Sequence, residues 1–453
     1  MRNSNWVTVI LAAGLGKRMK SKVPKALHSI AGKPMVRYVL EAARTAAGDD
    51  AHCVVVVGHG ADQVKAALGD GIDYAHQAEQ LGTGHALAQA QPLASAAENV
   101  LVLNGDIPLI TPSTISNLMR RHVEEQADLT FLTARPLDPS GLGRVVRDDE
   151  GHVTRIVEEA ESQSLAASDV EVNAGVYCFR SEWLWPRLGR LPKSAVGEYY
   201  LTDLVGMAIA ERSKVATVQT DEPQEAMGIN DRSQLARAEA VVRERIRQRH
   251  MLAGVTIVDP ATAYIDDGVA IETDVIIYPN TILAGDTRIG PDCTVGPNSR
   301  LVDAALGARC RVTESVVEGA TLEDDVDIGP FSHLRPGSYI CRGAHIGNFV
   351  EVKNSRIGAN TKIGHFSYIG DAEVGAGVNI GAGTITCNYD GRVKSRTVIG
   401  DGAFIGSDTM LVAPVKVGAN ARTGAGSVVN RNVPAGELVV GAPARISRKV
   451  RSK

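Results

Sequence analysis

From Ile271 an aliphatic side chain returns every six residues, at Ile277, Leu283, Ile289, Val295 and Leu301. The beat resumes at Leu322, Ile328, Leu334, Ile340, Ile346 and Val352, and returns at Ile399, Ile405, Leu411, Val417, Thr423 and Val429. The residue after the aliphatic one is repeatedly glycine. This is the hexapeptide signature of a parallel β-helix, in which each unit makes one flat side, the aliphatic residue plugs the interior and small residues turn the corners. Chance does not hold such a period over about 170 residues. Between Ile385 and Ile399 the beat breaks, so "TCNYDGRVKSRTV" must leave the coil as a loop.

The chain ahead of the coil has another texture. "WVTVILAAG", "HCVVVVG" and "NVLVLNGD" are short, nearly continuous apolar runs, as expected of strands buried on both faces. Between them "PMVRYVLEAARTAA" and "ADQVKAALGD" carry apolar residues at helical spacing. The pattern predicts an α/β domain with a mostly parallel sheet, whose ligands sit beyond the carboxyl ends of the strands, where Gly14 and Asp106 fall. "DRSQLARAEAVVRERIRQRHMLAG" then reads as one long charged helix. At 453 residues the chain is too long for one ordinary core. We divide it into a domain at 1–230, a linker helix at 231–251 and the coil at 252–453.

A hydrophobic content of 44% with 22% charged residues is that of a soluble globular protein, and a net charge of -4 gives no global field favouring nucleic acid or an anionic membrane. No apolar run approaches the roughly 20 residues that cross a bilayer. The apolar start reads as a buried first strand rather than a signal peptide, because a glycine loop with Lys and Arg follows it. Six cysteines without a C-x-x-C pair or knot-like spacing indicate neither a zinc site nor a disulfide framework, so a reduced, cytoplasmic protein is expected. The closing "RISRKVRSK" reads as a solvated basic tail.

Two places carry chemistry. Gly14-Leu15-Gly16-Lys17-Arg18 resembles a phosphate cradle but fits neither the P-loop nor the dinucleotide fingerprint. On the coil, three hexapeptides close a turn of about 18 residues, so Leu334 and Val352 plug the same face on adjacent turns. Arg335 and Lys353 follow these plugs and should stack roughly 4.8 Å apart. Like charges directly opposed destabilise a sheet, which points to an anion between them, unless both simply splay into water. His333, Glu351 and Tyr368 precede plugs on that face, and His365 lies two residues after Ile363 at the neighbouring corner. Beside such a cluster a histidine is a candidate general base. His333, His345 and His365 are 12 and 20 residues apart, which puts them out of phase for a shared zinc site within one chain.

With these motifs quoted, the chain resembles the bacterial bifunctional N-acetylglucosamine-1-phosphate uridyltransferase / glucosamine-1-phosphate acetyltransferase family. "LAAGLGKRM…PK", "QAEQLGTGHA" and "NGD" are similar to its sugar-nucleotide pyrophosphorylase half. "LRPG", "GNFVEVKN", "GHFSYIGDAEVG" and "NIGAGTITCNYDG" are similar to its acetyltransferase half. The resemblance implies that Leu11, Ala12, Ala13 and Gly14 approach a nucleotide (UTP), that Arg18 and Lys25 act on its phosphates, and that Asn104 and Gly105 also line that site. Gln77, Gly82 and Thr83 would read uracil, Gly143, Glu158 and Asn173 would hold the sugar, and Asp106 and Asn230 would hold Mg²⁺.

On the coil it implies that His365 is the general base, with Arg335, Lys353, Tyr368 and Asn379 on glucosamine 1-phosphate. Ala382, Asn388, Tyr389, Ser407 and Ala425 would contact acetyl-CoA. It further implies a left-handed β-helix, a homotrimer with the acetyl-CoA site shared between neighbours, and small-molecule substrates as the only partners beyond other copies, with no nucleic acid and no membrane. Where some members place an arginine against CoA this chain has Ala442, with Arg445 nearby. Two rival readings are a coil serving only as a trimerisation scaffold, against which His365, Arg335 and Lys353 argue, and a non-catalytic regulatory subunit. The second would be expected to lose Arg18, Lys25, Asp106 and Asn230, all of which are present.

Overall fold

The computed structural model describes residues 5–48, 51–158, 170–195 and 197–449. The chain divides into two compact units, Met1–Val242 and Arg243–Lys453. The charged segment forms a single helix, Arg232–Leu252, and the division between the units falls within it.

In the first unit the strands run in the order Val215–Gln219, Leu129–Ala134, Val172–Arg180, Asn99–Asn104, Trp6–Ala12, His52–Val57, Asp73–His76. The four strands from Asn99–Asn104 to Asp73–His76 are parallel. Val172–Arg180 runs antiparallel to both neighbours, and a hairpin of Arg144–Arg147 with Val153–Val157 joins its end, so the sheet is more mixed than its apolar runs imply. The runs are continuous because the sheet is covered twice. Ile10, Val55, Val57, Leu101 and Leu103 face one core, and Val9, Val54, Val56, Val100 and Val102 face the other. Helices Met35–Ala47 and Pro112–Glu124 cover the first face; Thr83–Gln89, Ser181–Leu188 and Asp203–Ala210 cover the second. Each fully buried Leu, Ile or Val here contributes about 1.5–3 kcal/mol relative to exposure.

The second unit is a parallel coil of three ladders. Ile277, Val295, Val312, Ile328, Ile346, Ile363, Ile380 and Ile405 pair in sequence on face A. Face B runs Leu283, Leu301, Val317, Leu334, Val352, Ile369, and face C runs Ile289, Leu306, Leu322, Ile340, Ile357, Val374, Ile399, Val417. These plugs are buried, whereas Ile271 at the start of face C is only partly covered. Between Leu301 and Leu322, where the six-residue beat is lost, the coil continues through Leu306, Val312 and Val317 with shortened corners. A corner absorbs a deletion because the strand registers only have to restart in phase. At the loop, Thr386 rather than Ile385 is the interior plug.

The predicted loop does leave the coil, between Ile385–Cys387 and Thr397–Ile399, closed at its base by Ser395 N–H donating to the Asn388 carbonyl at 2.8 Å. Arg445–Lys449 forms a strand antiparallel to Glu437–Val440, covering the edge at the end of the coil, and Val450–Lys453 lie outside the described residues. Among the described residues no helix is long and apolar enough to cross a membrane.

Candidate functional site

The sheet aims several strand ends at one opening. Trp6–Ala12 runs into the glycine loop, Asn99–Asn104 into Asp106, and Val172–Arg180 begins beside them. Gly16 adopts φ 59°, and a Cβ there would lie 2.6 Å from Lys25 Cβ, so only glycine lets the loop pass this lysine. Lys25 Nζ donates to Asp106 Oδ2 at 2.5 Å and to Asn230 Oδ1 at 2.7 Å. The Ile229 N–H donates to the Asp106 carbonyl, which brings Asn230 to this point from far along the chain. Two hard oxygens therefore converge on one mostly buried cation, a donor set that suits a divalent ion as well as an ammonium.

Leu11, Ala12, Ala13, Gly14, Arg18, Lys25, Gln77, Gly82, Thr83, Asn104, Gly105, Asp106, Gly143, Glu158, Asn173 and Asn230 all line one cavity of about 630 Å³. Gln77 is buried and donates to the Gly82 carbonyl, fixing that turn against it. Thr83 Oγ1 accepts from Leu201 N–H, and Glu158 accepts from the Thr202 hydroxyl at 2.6 Å.

Sequence reasoning missed Gly175, Tyr177 and Thr202 in this cavity. Gly175 sits at φ 73° in a bulge where the register shifts between Asn173 and Tyr177, and a Cβ on it would lie 2.4 Å from Asn104 Nδ2. Tyr177 accepts from Asn173 Nδ2 at 2.5 Å, and burial pushes its phenol well above the usual range, so it stays protonated. An isolated glycine within the strand pattern "VNAGVYCF" was the available signal.

On the coil, counting placed the ladders correctly. His333, Glu351 and Tyr368 are successive partners on face B. The inferred bare pair of cations is corrected. Arg335 Nη1 donates to Glu351 Oε1 at 2.8 Å and Lys353 Nζ approaches Asp371 Oδ2 at 3.4 Å, so each has its own carboxylate one coil on. Like-charge stacking is relieved within the chain, and no anion is required to explain it. Tyr368 lies over Gly370, the strand partner of Lys353, where a Cβ would meet the phenol oxygen at 2.3 Å. Asn379 is not part of this ladder; it pairs with Lys362 on face A.

His365 is exposed at the corner between faces A and B, and its Nδ1 is paired with Asn348 Oδ1 on the preceding coil. An amide oxygen can only accept, so Nδ1 donates to it and Nε2 is the ring nitrogen left to take a proton. Ala382, Ser407 and Ala425 each fall two residues after the face A plugs Ile380, Ile405 and Thr423, as His365 does after Ile363. They continue one column above the histidine. Asn388 lies elsewhere, at the corner between faces B and C, bonded to Asp371, with Tyr389 beside it and exposed. Within one chain the residues expected at acetyl-CoA thus form two separate groups. Missed here were Asn348, Asp371 and a stack of exposed Phe331, Phe349 and Phe366, whose ring centroids are 5.3 and 5.1 Å apart. Each follows from counting coils, but neither an amide nor a phenylalanine announces itself as chemistry.

Comparison with known proteins agrees with both halves. Residues 8–193 match the MobA-like NTP transferase domain family, and 264–303, 354–387 and 396–431 match the bacterial transferase hexapeptide (six repeats) family. The chain is 46% identical to the Bifunctional protein GlmU of Brevibacillus brevis, covering 97% of this chain and 95% of that one. It is 48% identical to the GlmU of Heliobacterium modesticaldum over 95% and 94%, and 47% identical to that of Trichlorobacter lovleyi over 97% and 96%. The chain belongs to the GlmU family. Like other GlmU proteins it is bifunctional, joining a nucleotidyltransferase domain to a hexapeptide acyltransferase coil. The GlmU frame accounts for a nucleotide-sized cavity in one unit and an exposed histidine below a column of small residues in the other.

Proposed function

We propose that the coil acetylates glucosamine 1-phosphate with acetyl-CoA, and that the first unit transfers UMP from UTP to the resulting N-acetylglucosamine 1-phosphate, releasing pyrophosphate. The observation that supports the first half is the exposed His365, its Nδ1 held by Asn348, at the foot of a column of small residues. The substrate amine attacks the thioester carbonyl, His365 takes the amine proton, and the CoA thiolate leaves and is protonated. Arg335, Lys353 and Tyr368 hold the sugar phosphate, and Asn379, on another face, serves the same substrate from a neighbouring copy. Separation of the acetyl-CoA residues into two groups, with the exposed phenylalanine stack, supports a homotrimer in which copies complete one another's sites.

In the first unit the sugar phosphate oxygen attacks the α-phosphorus in line and pyrophosphate leaves. Arg18 and Lys25 offset the negative charge that builds on the phosphoryl oxygens. Gln77, Gly82 and Thr83 hold uracil, while Gly143, Glu158 and Asn173 hold the sugar. Asp106 and Asn230 would hold Mg²⁺, which when bound neutralises phosphate charge. Lys25, now resting between those two oxygens, would then turn to the phosphates.

The test supplies purified protein with acetyl-CoA, glucosamine 1-phosphate, UTP and Mg²⁺ and follows thiol and pyrophosphate separately. Wild type should release both, and His365→Ala should lose thiol release by about 10²–10⁴-fold while pyrophosphate release from supplied N-acetylglucosamine 1-phosphate is unchanged. Pyrophosphate without any thiol from wild type would reduce the coil to a scaffold.

A further inference from the structure

Asp371 joins more of the coil's chemistry than any group assigned above. It sits at the corner after face B with φ 49°, a left-handed conformation that Asp and Asn tolerate. Its backbone N–H donates to the Lys353 carbonyl at 3.0 Å, and its own carbonyl accepts from Thr397, where the excursion loop rejoins the coil. Its carboxylate accepts from Asn354 Nδ2 at 2.6 Å on one oxygen. The other oxygen accepts from Asn388 Nδ2 at 2.5 Å and faces Lys353 Nζ at 3.4 Å. Main chain and side chain thus clamp the same two features, the lysine below and the loop above.

We propose that Asp371 is a positioning residue that couples the sugar-phosphate cation Lys353 to the acyl-donor loop at Asn388 and Tyr389, so that one carboxylate sets the affinity for both acetyl-transfer substrates. The inference rests on the reading of Lys353 and Asn388 as substrate contacts. Lysine carries its charge on a flexible four-carbon stem, so a fixed counter-charge pre-orients it toward the arriving phosphate. Repulsion between Asp371 and that phosphate is tempered because two amide donors and the lysine already share its charge. Its side chain is only 13% exposed, which limits screening by solvent. Burial alone would raise its pKa, but the hydrogen bonds from Asn354 and Asn388 and the charge of Lys353 hold it below the usual carboxylate range. By linkage, a group held by both partners makes each substrate's binding respond to the other's contacts.

The rival explanation is a corner cap, since Asn354 below it is also left-handed at φ 45° and bonded to it. Asp371→Asn separates the two, because asparagine keeps the left-handed corner and, with its one amide oxygen, one of the two amide bonds, but loses the charge. The positioning role predicts that KM for glucosamine 1-phosphate rises about tenfold and KM for acetyl-CoA several-fold, with kcat within about twofold, whereas a corner cap predicts a lower melting temperature with both KM values unchanged. Unchanged KM values, or a fall in KM for the sugar phosphate, would overturn it.

A second measurement does not depend on how that variant folds. Asn388→Ala should raise KM for glucosamine 1-phosphate about threefold as well as that for acetyl-CoA. If only the acetyl-CoA value moves, the coupling does not exist. Lys353→Met keeps the two claims apart. If it leaves KM for the sugar phosphate unchanged, the underlying site reading fails, whereas a raised value alongside a wild-type Asp371→Asn refutes the coupling alone.

Discussion

The two units build their candidate sites by opposite means. In the first, sixteen side chains and backbone positions spread between Leu11 and Asn230 meet in one cavity because a sheet aims distant loops at one opening. In the second, partners are set by a count of 16 to 18 residues along the chain, as in Leu301 to Val317 and Leu334 to Val352, lengthened to 25 only where the excursion loop intervenes, as in Ile380 to Ile405. The difference teaches where a substitution will be felt. A cavity held by tertiary packing transmits damage among its loops, whereas a ladder passes it to the coil above and the coil below. Bifunctionality follows the same line, and each chemistry should be removable without the other.

The largest test of that independence is at Lys25. Lys25→Met should lower pyrophosphate release by about 10²–10³-fold, because the cation that offsets phosphoryl charge is gone. Thiol release from acetyl-CoA should stay at the wild-type rate, and a matching fall would break the comparison.

Acid should also separate the units. His122 is buried against Trp6, with Nδ1 paired to Thr130 and its Nε2 without a partner among the described residues. Burial first, and Arg180 second, push its pKa down to about 4 from 6.5, against a smaller opposing effect of Asp128. The unfolded chain therefore binds the extra proton first, and stability present above pH 6.5 falls as pH drops from 6.5 toward 4, by about 3 kcal/mol in all. All three tryptophans, Trp6, Trp183 and Trp185, lie in this unit, so fluorescence-detected urea unfolding reads it alone. His122→Gln should flatten the slope. On the coil, Asp327 is held below the usual carboxylate range, since bonds from Arg311 and His345 outweigh its burial. That contribution is present above about pH 3.8 and lost only as pH falls through the depressed value. Coil and first unit unfolding together near pH 5 would contradict this ordering.

Asn348 sharpens the view of the coil as a ladder. Asn348→Ala would remove the oxygen that holds His365 Nδ1 and free the ring to rotate. kcat for acetyl transfer should fall about tenfold with pyrophosphate release unchanged, and an unchanged kcat would deny Asn348 any hold on the base.

The smallest expected effect is at Gly16. Gly16→Ala should cost about 1–2 kcal/mol in the first unit through its left-handed backbone. It should also raise KM for UTP through contact with Lys25, while leaving the coil's kinetics alone. A substitution without effect on either would mean the loop does not need this close approach.

Much of this was legible in advance, for reasons that differ by element. The plugs from Ile277 onward could be read because one interior position per hexapeptide must be apolar, and Thr386 was missed because a threonine can fill that position with its hydroxyl bonded to the Gly370 carbonyl. The double-faced strands near Val55 and Leu101 showed as unbroken apolar runs. Strand direction did not, and Val172–Arg180 turned out antiparallel, since burial on two faces looks the same in either direction.

By itself, the sequence determined the period of the coil, the excursion loop, the alternation of helices and buried strands, and the residue types able to handle phosphate and protons. Such features depend on local spacing and side-chain chemistry, which the chain carries wherever it folds. Only the tertiary structure decided that Lys25 rests between Asp106 and Asn230, that Arg335 and Lys353 each find a carboxylate, and that Asp371 joins the lysine to the loop. Those contacts are set by rotamers and corner geometry across coils and strand ends, and ionic pairing depends on distances that no residue count supplies.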